Sequence, residues 1–233
     1  CHGNPPAHTS AKLSDTRTSA HESECSSINN TAHTGPAMAS LKIQDLFSVK
    51  GKHVLVTGGG RGIGFMIAQG FVENGATVYI SSRKQAACDE AAARLTAIGP
   101  GRCISLKAVD LTGVEAAETV VQSLRQHTDR LHVLVNNSGI SWGEPFEKFQ
   151  EKGFDKVFAV NVRGLFFMTR AAMPLLEAAA TSMDPARIIN IGSVAGLMPQ
   201  AFPTYSYDAS KAAVHHMTTK FAQEFASRNI TAN

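Results

Sequence analysis

His53-Val-Leu-Val-Thr57, followed by Gly58-Gly-Gly-Arg-Gly-Ile-Gly64, is the stretch on which the fold turns. Five residues, four of them apolar or β-branched, have the length of a buried strand, and the glycines behind them mark a tight turn. From Ile63 to Asn74 the apolar spacing changes to that of a helix, and Gly75 stands just past its end, where a left-handed residue closes many helices. Ala76-Thr-Val-Tyr-Ile-Ser81 reads as the next strand.

Working outward, the same alternation runs to the end of the chain. A helix over Lys84–Ile98 is ended by Gly99-Pro100, and a third strand covers Cys103–Val109. A helix over about Gly113–Gln126 leads to a strand at Leu131–Asn136 and a longer loop, Ser138–Gly143. One helical region is expected from about Phe146 to Ala180, kinked at Pro174. A strand at Arg187–Ile191 and a helix from about Ser206 to Arg228 follow, and Asn229-Ile-Thr-Ala-Asn233 begins a further strand. Nearly all-apolar strands alternating with helices imply a parallel sheet covered on both faces, so the fold class is α/β, doubly wound.

Composition narrows the classes of function. The 233 residues are 43% hydrophobic and 18% charged, enough for one sizeable core and against global disorder. A net charge of +3 without a Lys/Arg run gives no nucleic-acid footprint, and no apolar stretch is long enough to span a membrane. Cys1, Cys25, Cys88 and Cys103 show no metal or disulfide spacing, which suits a reducing, cytoplasmic setting. Adjacent His215 and His216 cannot share a helix face, so no metal site is expected. Residues 1–37, with eleven Ser/Thr and only Leu13 and Ile28 as large apolar residues, read as a disordered leader ahead of a domain spanning 38–233.

The glycine turn lies between a strand and a helix, where glycines let a backbone approach a pyrophosphate seated on the helix N-terminus. Gly58, Gly62, Ile63 and Gly64 are the candidates for that contact. An NAD site places an acid about twenty residues on, to hold the ribose 2′-hydroxyl. Here the second strand ends in Ser81-Ser82-Arg83-Lys84, and no carboxylate stands between Glu73 and Asp89. Arg61 inside the turn, with Ser82 and Arg83, favours a 2′-phosphate and hence NADP(H).

Tyr207-Asp-Ala-Ser-Lys211 opens the last helix, and its i, i+4 spacing puts Tyr207 and Lys211 on one face. An ammonium beside a phenol favours the phenolate, which suits a tyrosine to proton transfer near neutral pH. Ser193 follows the fifth strand at the carboxyl edge of the sheet, where doubly wound proteins bind ligands. Its hydroxyl can support an oxygen on which charge grows.

These residues together resemble the short-chain dehydrogenase/reductase family. The shared pattern is Thr57-Gly58, Gly62-Ile63-Gly64, Asp110, Asn136-Asn137-Ser138-Gly139, Asn161, Ser193 and Tyr207 with Lys211, in family order from Gly51 to Asn233. The resemblance implies a Rossmann-like domain catalysing hydride transfer between a nicotinamide and a ketone or secondary alcohol, closest to the 3-oxoacyl-carrier-protein reductases. It implies Tyr207 as general acid/base, Lys211 on the nicotinamide ribose, Ser193 orienting the substrate and Asn161 in a proton relay. It also implies Asp110 and Leu111 at the adenine, and Asn136, Asn137, Ser138 and Gly139 along the cofactor. Ser138 stands where the family usually has alanine. Homodimers or homotetramers built on the helices carrying Asn161 and Tyr207 are the expected assembly. The family's later strands and substrate loop lie past Asn233, so the expectation is a C-terminally truncated domain. A rival reading is then a catalytically incompetent module that only binds cofactor or associates with other subunits. Trp142, Phe146, Met198 and Phe202 either border an apolar pocket or are packing.

Overall fold

The computed structural model describes residues 42–233, so the leader reading of residues 1–37 lies outside the described residues. A one-turn helix, α1 (Ile43–Leu46), precedes β1 (His53–Thr57), α2 (Gly62–Glu73) and β2 (Thr77–Ser81). Next come α3 (Gln85–Thr96), β3 (Arg102–Ser105), α4 (Val114–Arg125) and β4 (Val133–Asn136). α5 (Glu151–Phe158), α6 (Leu165–Ala179), β5 (Ala186–Asn190), α7 (Tyr205–Phe225) and β6 (Ile230–Ala232) complete the chain. The sheet order is β3-β2-β1-β4-β5-β6 and every pairing is parallel. The order reverses between β1 and β4, which opens a crevice at their carboxyl ends.

Strand alternation sorts the core into two layers. Leu55, Tyr79, Leu134 and Ile188 face α4, α6 and α7, packing with Leu124, Met168, Leu176 and Phe221. Val54, Val56, Val78, Ile80 and Val135 face α2 and α3, packing with Ala68, Val72 and Leu95. Each fully buried leucine or isoleucine here contributes about 1.5–3 kcal/mol of transfer free energy.

Two expectations are corrected. The long helical region is not continuous: Phe146–Lys148 is a 3₁₀ turn, α5 follows, and Ala159–Gly164 is a π-helical segment before α6. Pro174 lies on the exposed side of α6, which runs on past it; a carbonyl left unpaired there can meet water. The third strand ends at Ser105 because Gln85 takes over the backbone beyond it: its side chain donates to the Leu106 carbonyl and accepts from the Ala108 amide. At the other edge β6 pairs with β5 over three residues, with Ile230 and Ala232 buried.

Candidate active site

The glycine turn and the segment after β4 are sewn together across the crevice. The Thr57 hydroxyl accepts from the amides of Asn137 and Ser138, both at 3.0 Å. Asn137 Nδ2 donates to the carbonyls of Thr57 at 2.9 Å and Gly58 at 3.3 Å. Gly58 takes φ +68°, open to glycine at little strain, and a Cβ on Gly64 would lie 2.4 Å from the Gly58 carbonyl oxygen. The first turn of α2 therefore sits directly on the turn. No side chain caps it, which leaves its amides and positive dipole end facing the crevice.

Arg61 and Arg83 are exposed at this end, and neither guanidinium forms an ion pair or hydrogen bond among the described residues. Between them Ser82 Oγ lies 3.0 Å from the buried Cys88 Sγ, a neighbour the sequence did not signal. Ile63 is exposed and Ser138 half-buried, with its Oγ against Gly58. Asp110 is not free: its carboxylate pairs with Lys156 on α5. It borders a cleft of about 690 Å³ lined also by Val109, Thr112, Gly113 and Arg163. Leu111 is buried in the core, so only its backbone can reach a ligand. Asn136 is likewise turned away from the crevice. Its Nδ2 donates to Thr169 Oγ1 at 3.0 Å and to Asn190 Oδ1 at 2.9 Å, bracing β4 to α6 and β5.

At the far side of the crevice three elements converge on Gly139. A Cβ there would lie 3.5 Å from Asn161 Oδ1 and 4.0 Å from Lys211 Nζ. Asn161 sits in the π-helical segment, where it exchanges two 2.9 Å bonds with the Ile140 backbone. Its Nδ2 also donates to Ser210 Oγ at 2.9 Å, and Ser210 in turn donates to the Tyr207 carbonyl at 2.7 Å. Fully buried Ser210 is a site member the sequence reading missed; its place between Tyr207 and Lys211 was the available signal.

Lys211 is only 7% exposed, and its Nζ donates to the Ile191 carbonyl at 2.6 Å. Burial pushes the Lys211 ammonium below its ordinary pKa range. Nζ stands 5.7 Å from the centre of the half-buried Tyr207 ring, a cation held over a phenol in a dry place. Ser193, extended at φ −162°, begins the 3₁₀ turn Val194–Gly196, and its Oγ accepts from the Ala195 amide at 3.2 Å. That turn rests on α7, since a Cβ on Gly196 would lie 2.6 Å from the Lys211 carbonyl carbon.

Two loops flank this face. Trp142 packs against Gly153 and donates from Nε1 to Glu144 at 2.9 Å; Glu144 also accepts from Gln150. The Glu144 amide donates to the Pro203 carbonyl at 3.2 Å, which ties the loop after β4 to the loop before α7.

A doubly wound parallel domain with a glycine turn at its switch point and a Tyr–Lys pair at its carboxyl edge defines the class. The short chain dehydrogenase family model matches residues 52–233, and the chain belongs to that family. It is 43% identical over 187 residues to the rhamnolipids biosynthesis 3-oxoacyl-[acyl-carrier-protein] reductase of Pseudomonas aeruginosa, an alignment covering 80% of this chain and 72% of the relative. It is 31% identical to a 3alpha-hydroxysteroid dehydrogenase of Mediterraneibacter gnavus, covering 79% and 72%. Among solved structures, the Pseudomonas aeruginosa RhlG/NADP active-site complex superposes with a TM-score of 0.76 at 42% identity, covering 80% of this chain and 72% of that one. An L-sorbose reductase from Gluconobacter frateurii, complexed with NADPH and L-sorbose, gives 0.74 at 27% identity, covering 80% and 68%. Among the described residues no helix is long and apolar enough to cross a membrane, and no cluster of His, Cys, Asp or Glu could hold a metal ion.

Proposed function

We propose that the chain is an NADP(H)-dependent oxidoreductase that interconverts a ketone and a secondary alcohol, with a 3-oxoacyl thioester as its substrate class. The observation that carries this is the buried Lys211, held by the Ile191 carbonyl, with Asn161 Oδ1 and the Tyr207 ring beside it at the crevice. The crevice fits the cofactor: the turn leaves no room for a Cβ at Gly64, α2 presents uncapped amides to a pyrophosphate, and the unpaired Arg61 and Arg83 suit a 2′-phosphate. The relatives' NADP and NADPH complexes support the same choice.

When bound, the nicotinamide supplies or accepts the hydride. Tyr207 donates the proton to the carbonyl oxygen in reduction and removes it in oxidation, within the field of the Lys211 ammonium. Ser193 Oγ already accepts one bond, so its O–H is free to point at the same oxygen. Asn161, fixed by Ile140 and Ser210, shapes the floor next to Lys211 and is the relay position. Leu197, Met198 and Phe202 stand exposed on the loop after Ser193, an apolar rim suited to an acyl chain. For assembly we infer a homodimer or homotetramer: Phe154, stacked on Phe158, and Phe166 present apolar surface on α5 and α6.

Tyr207→Phe tests the proton role. NADPH-dependent reduction of a 3-oxoacyl thioester should fall at least about 100-fold, the order of a general acid–base contribution. The NADPH dissociation constant should stay within twofold, and undiminished turnover would refute the assignment.

A further inference from the structure

One polar side chain behind Ser193 is left without a role by this reading. The Ser193 amide donates to His215 Nε2 at 3.3 Å. Gly192 lies so close to the imidazole that a Cβ there would be 2.4 Å from Nε2. His215 follows Lys211 by one helical turn, so Tyr207, Lys211 and His215 recur at i, i+4 and i+8 along one face of α7. The last two grip the same short segment: Lys211 Nζ bonds the Ile191 carbonyl and His215 Nε2 the Ser193 amide.

The tautomer follows from this bond. A nitrogen that accepts from an amide carries no proton, so the neutral ring holds its proton on Nδ1. Nδ1 is buried and has no hydrogen-bond partner among the described residues. An orphan buried donor is a cost that an aliphatic side chain of similar volume would not carry. What the imidazole provides in return is the acceptor for Ser193.

We propose that His215 is a positioning residue: by holding the Ser193 amide it sets the extended backbone at Ser193 and so the direction of its hydroxyl. This rests on the reading of Ser193 as the hydroxyl that orients the substrate oxygen. Without the acceptor, the peptide between Gly192 and Ser193 is free to rotate, and Oγ leaves its place. A displacement of about 1 Å at a reacting group costs on the order of 100-fold in rate.

The test compares His215→Leu, His215→Gln, His215→Asn and Ser193→Ala in the full chain. Each is assayed with NADPH and a 3-oxodecanoyl thioester, and amide hydrogen exchange is followed over residues 187–200. His215→Leu should lower kcat by about 10- to 100-fold, leave NADPH affinity within twofold and speed exchange at the Ser193 amide. His215→Gln, whose Oε1 can reach the amide, should recover most of both; the shorter His215→Asn should recover neither. Since Asn keeps a polar group in place, it decides the matter if the leucine variant does not fold. Full turnover in His215→Leu and His215→Asn, with Ser193→Ala inactive, overturns the proposal and leaves the functional reading standing. An undiminished Ser193→Ala, or a wild type without activity, refutes the functional reading instead. Exchange then judges the contact alone: unchanged Ser193 protection in both variants overturns it.

Discussion

Gly64 and Gly70 lie on the same helix, six residues apart, and the same substitution should act on them in opposite directions. At Gly64 an alanine Cβ would stand 2.4 Å from the Gly58 carbonyl oxygen and 2.5 Å from Asn137 Nδ2. Carbon contacts below 3.0 Å essentially never occur, so at least about 0.6 Å must open between α2 and the turn. Neither neighbour can yield alone, because Asn137 is tied to the Thr57 and Gly58 carbonyls. Overpacking of this kind costs about 1–3 kcal/mol. For a domain of this size that lowers Tm by about 2–12 °C. The same displacement lifts the α2 amides from the pyrophosphate, and losing one charge-assisted bond of about 1.5–3 kcal/mol weakens NADPH about 10- to 100-fold. At Gly70 an added Cβ meets nothing within 4 Å. Gly70→Ala should therefore only reduce backbone freedom in the unfolded chain, adding about 0.5–1 kcal/mol and about 1–4 °C. Thermal unfolding with and without NADPH, together with nicotinamide fluorescence titration, measures both. A Gly64→Ala protein that melts with the wild type and binds NADPH normally would show that the turn and helix are not in the contact described.

Arg83→Ala should weaken NADPH by about tenfold or more while leaving NADH nearly unchanged, as expected for one guanidinium–phosphate pair; equal losses in the two titrations would remove Arg83 from the 2′-phosphate. Asn136→Ala leaves Thr169 Oγ1 and Asn190 Oδ1 without their donor in a buried ladder, and should cost about 2–4 kcal/mol in urea unfolding; a loss below about 1 kcal/mol would mean the ladder is weakly coupled. At the opposite end of the sheet, burial, helped by Arg102 and Lys52 respectively, lowers the pKa of His53 and His132 below 6.5. The unfolded chain therefore takes up protons first, so this part of the stability is complete above about pH 6.5 and is lost as pH falls through the folded values. His132 Nδ1 accepts from the His53 amide, and a proton there breaks that bond. The drop in urea midpoint from pH 7.5 to 5.5 should be smaller in His132→Asn than in the wild type, and an identical drop would exclude the pair as its source.

What was legible in the sequence is what local chemistry dictates. A strand of Val-Leu-Val, glycines and a helix period can be read without neighbours, and so can a Tyr–Lys spacing of one helical turn. The structure departs wherever a distant residue decides. Strand β3 stops at Ser105 because Gln85, twenty residues earlier, captures the backbone beyond it. Asn161 lies in a π-helical turn because its side chain bonds the Ile140 backbone and Ser210, partners from two other elements. Pro174 carries the usual sequence signal for a break, yet the helix runs on past it and the π-helical interruption ends at Gly164, ten residues earlier. His215 gave no readable signal at all, since its acceptor matters only once α7 packs on the loop after β5.

Asn136 and Asn137 show how the site is stiffened. Side chains alternate faces at the end of β4. Asn136 therefore points down among Thr169 and Asn190, and Asn190 passes the bond on to Thr218 of α7 at 2.9 Å. Asn137 points up and sews the glycine turn to the same strand end. One pair of adjacent asparagines thus links the turn that would hold the cofactor to both helices of the reacting half, α6 beneath Asn136 and α7 through Asn190. The two halves of the crevice are then coupled through hydrogen bonds between ordered backbone and buried side chains rather than through a mobile loop. The distance between the glycine turn and Tyr207 should accordingly be fixed before any ligand arrives, which is the preorganisation that hydride and proton transfer at adjacent atoms require.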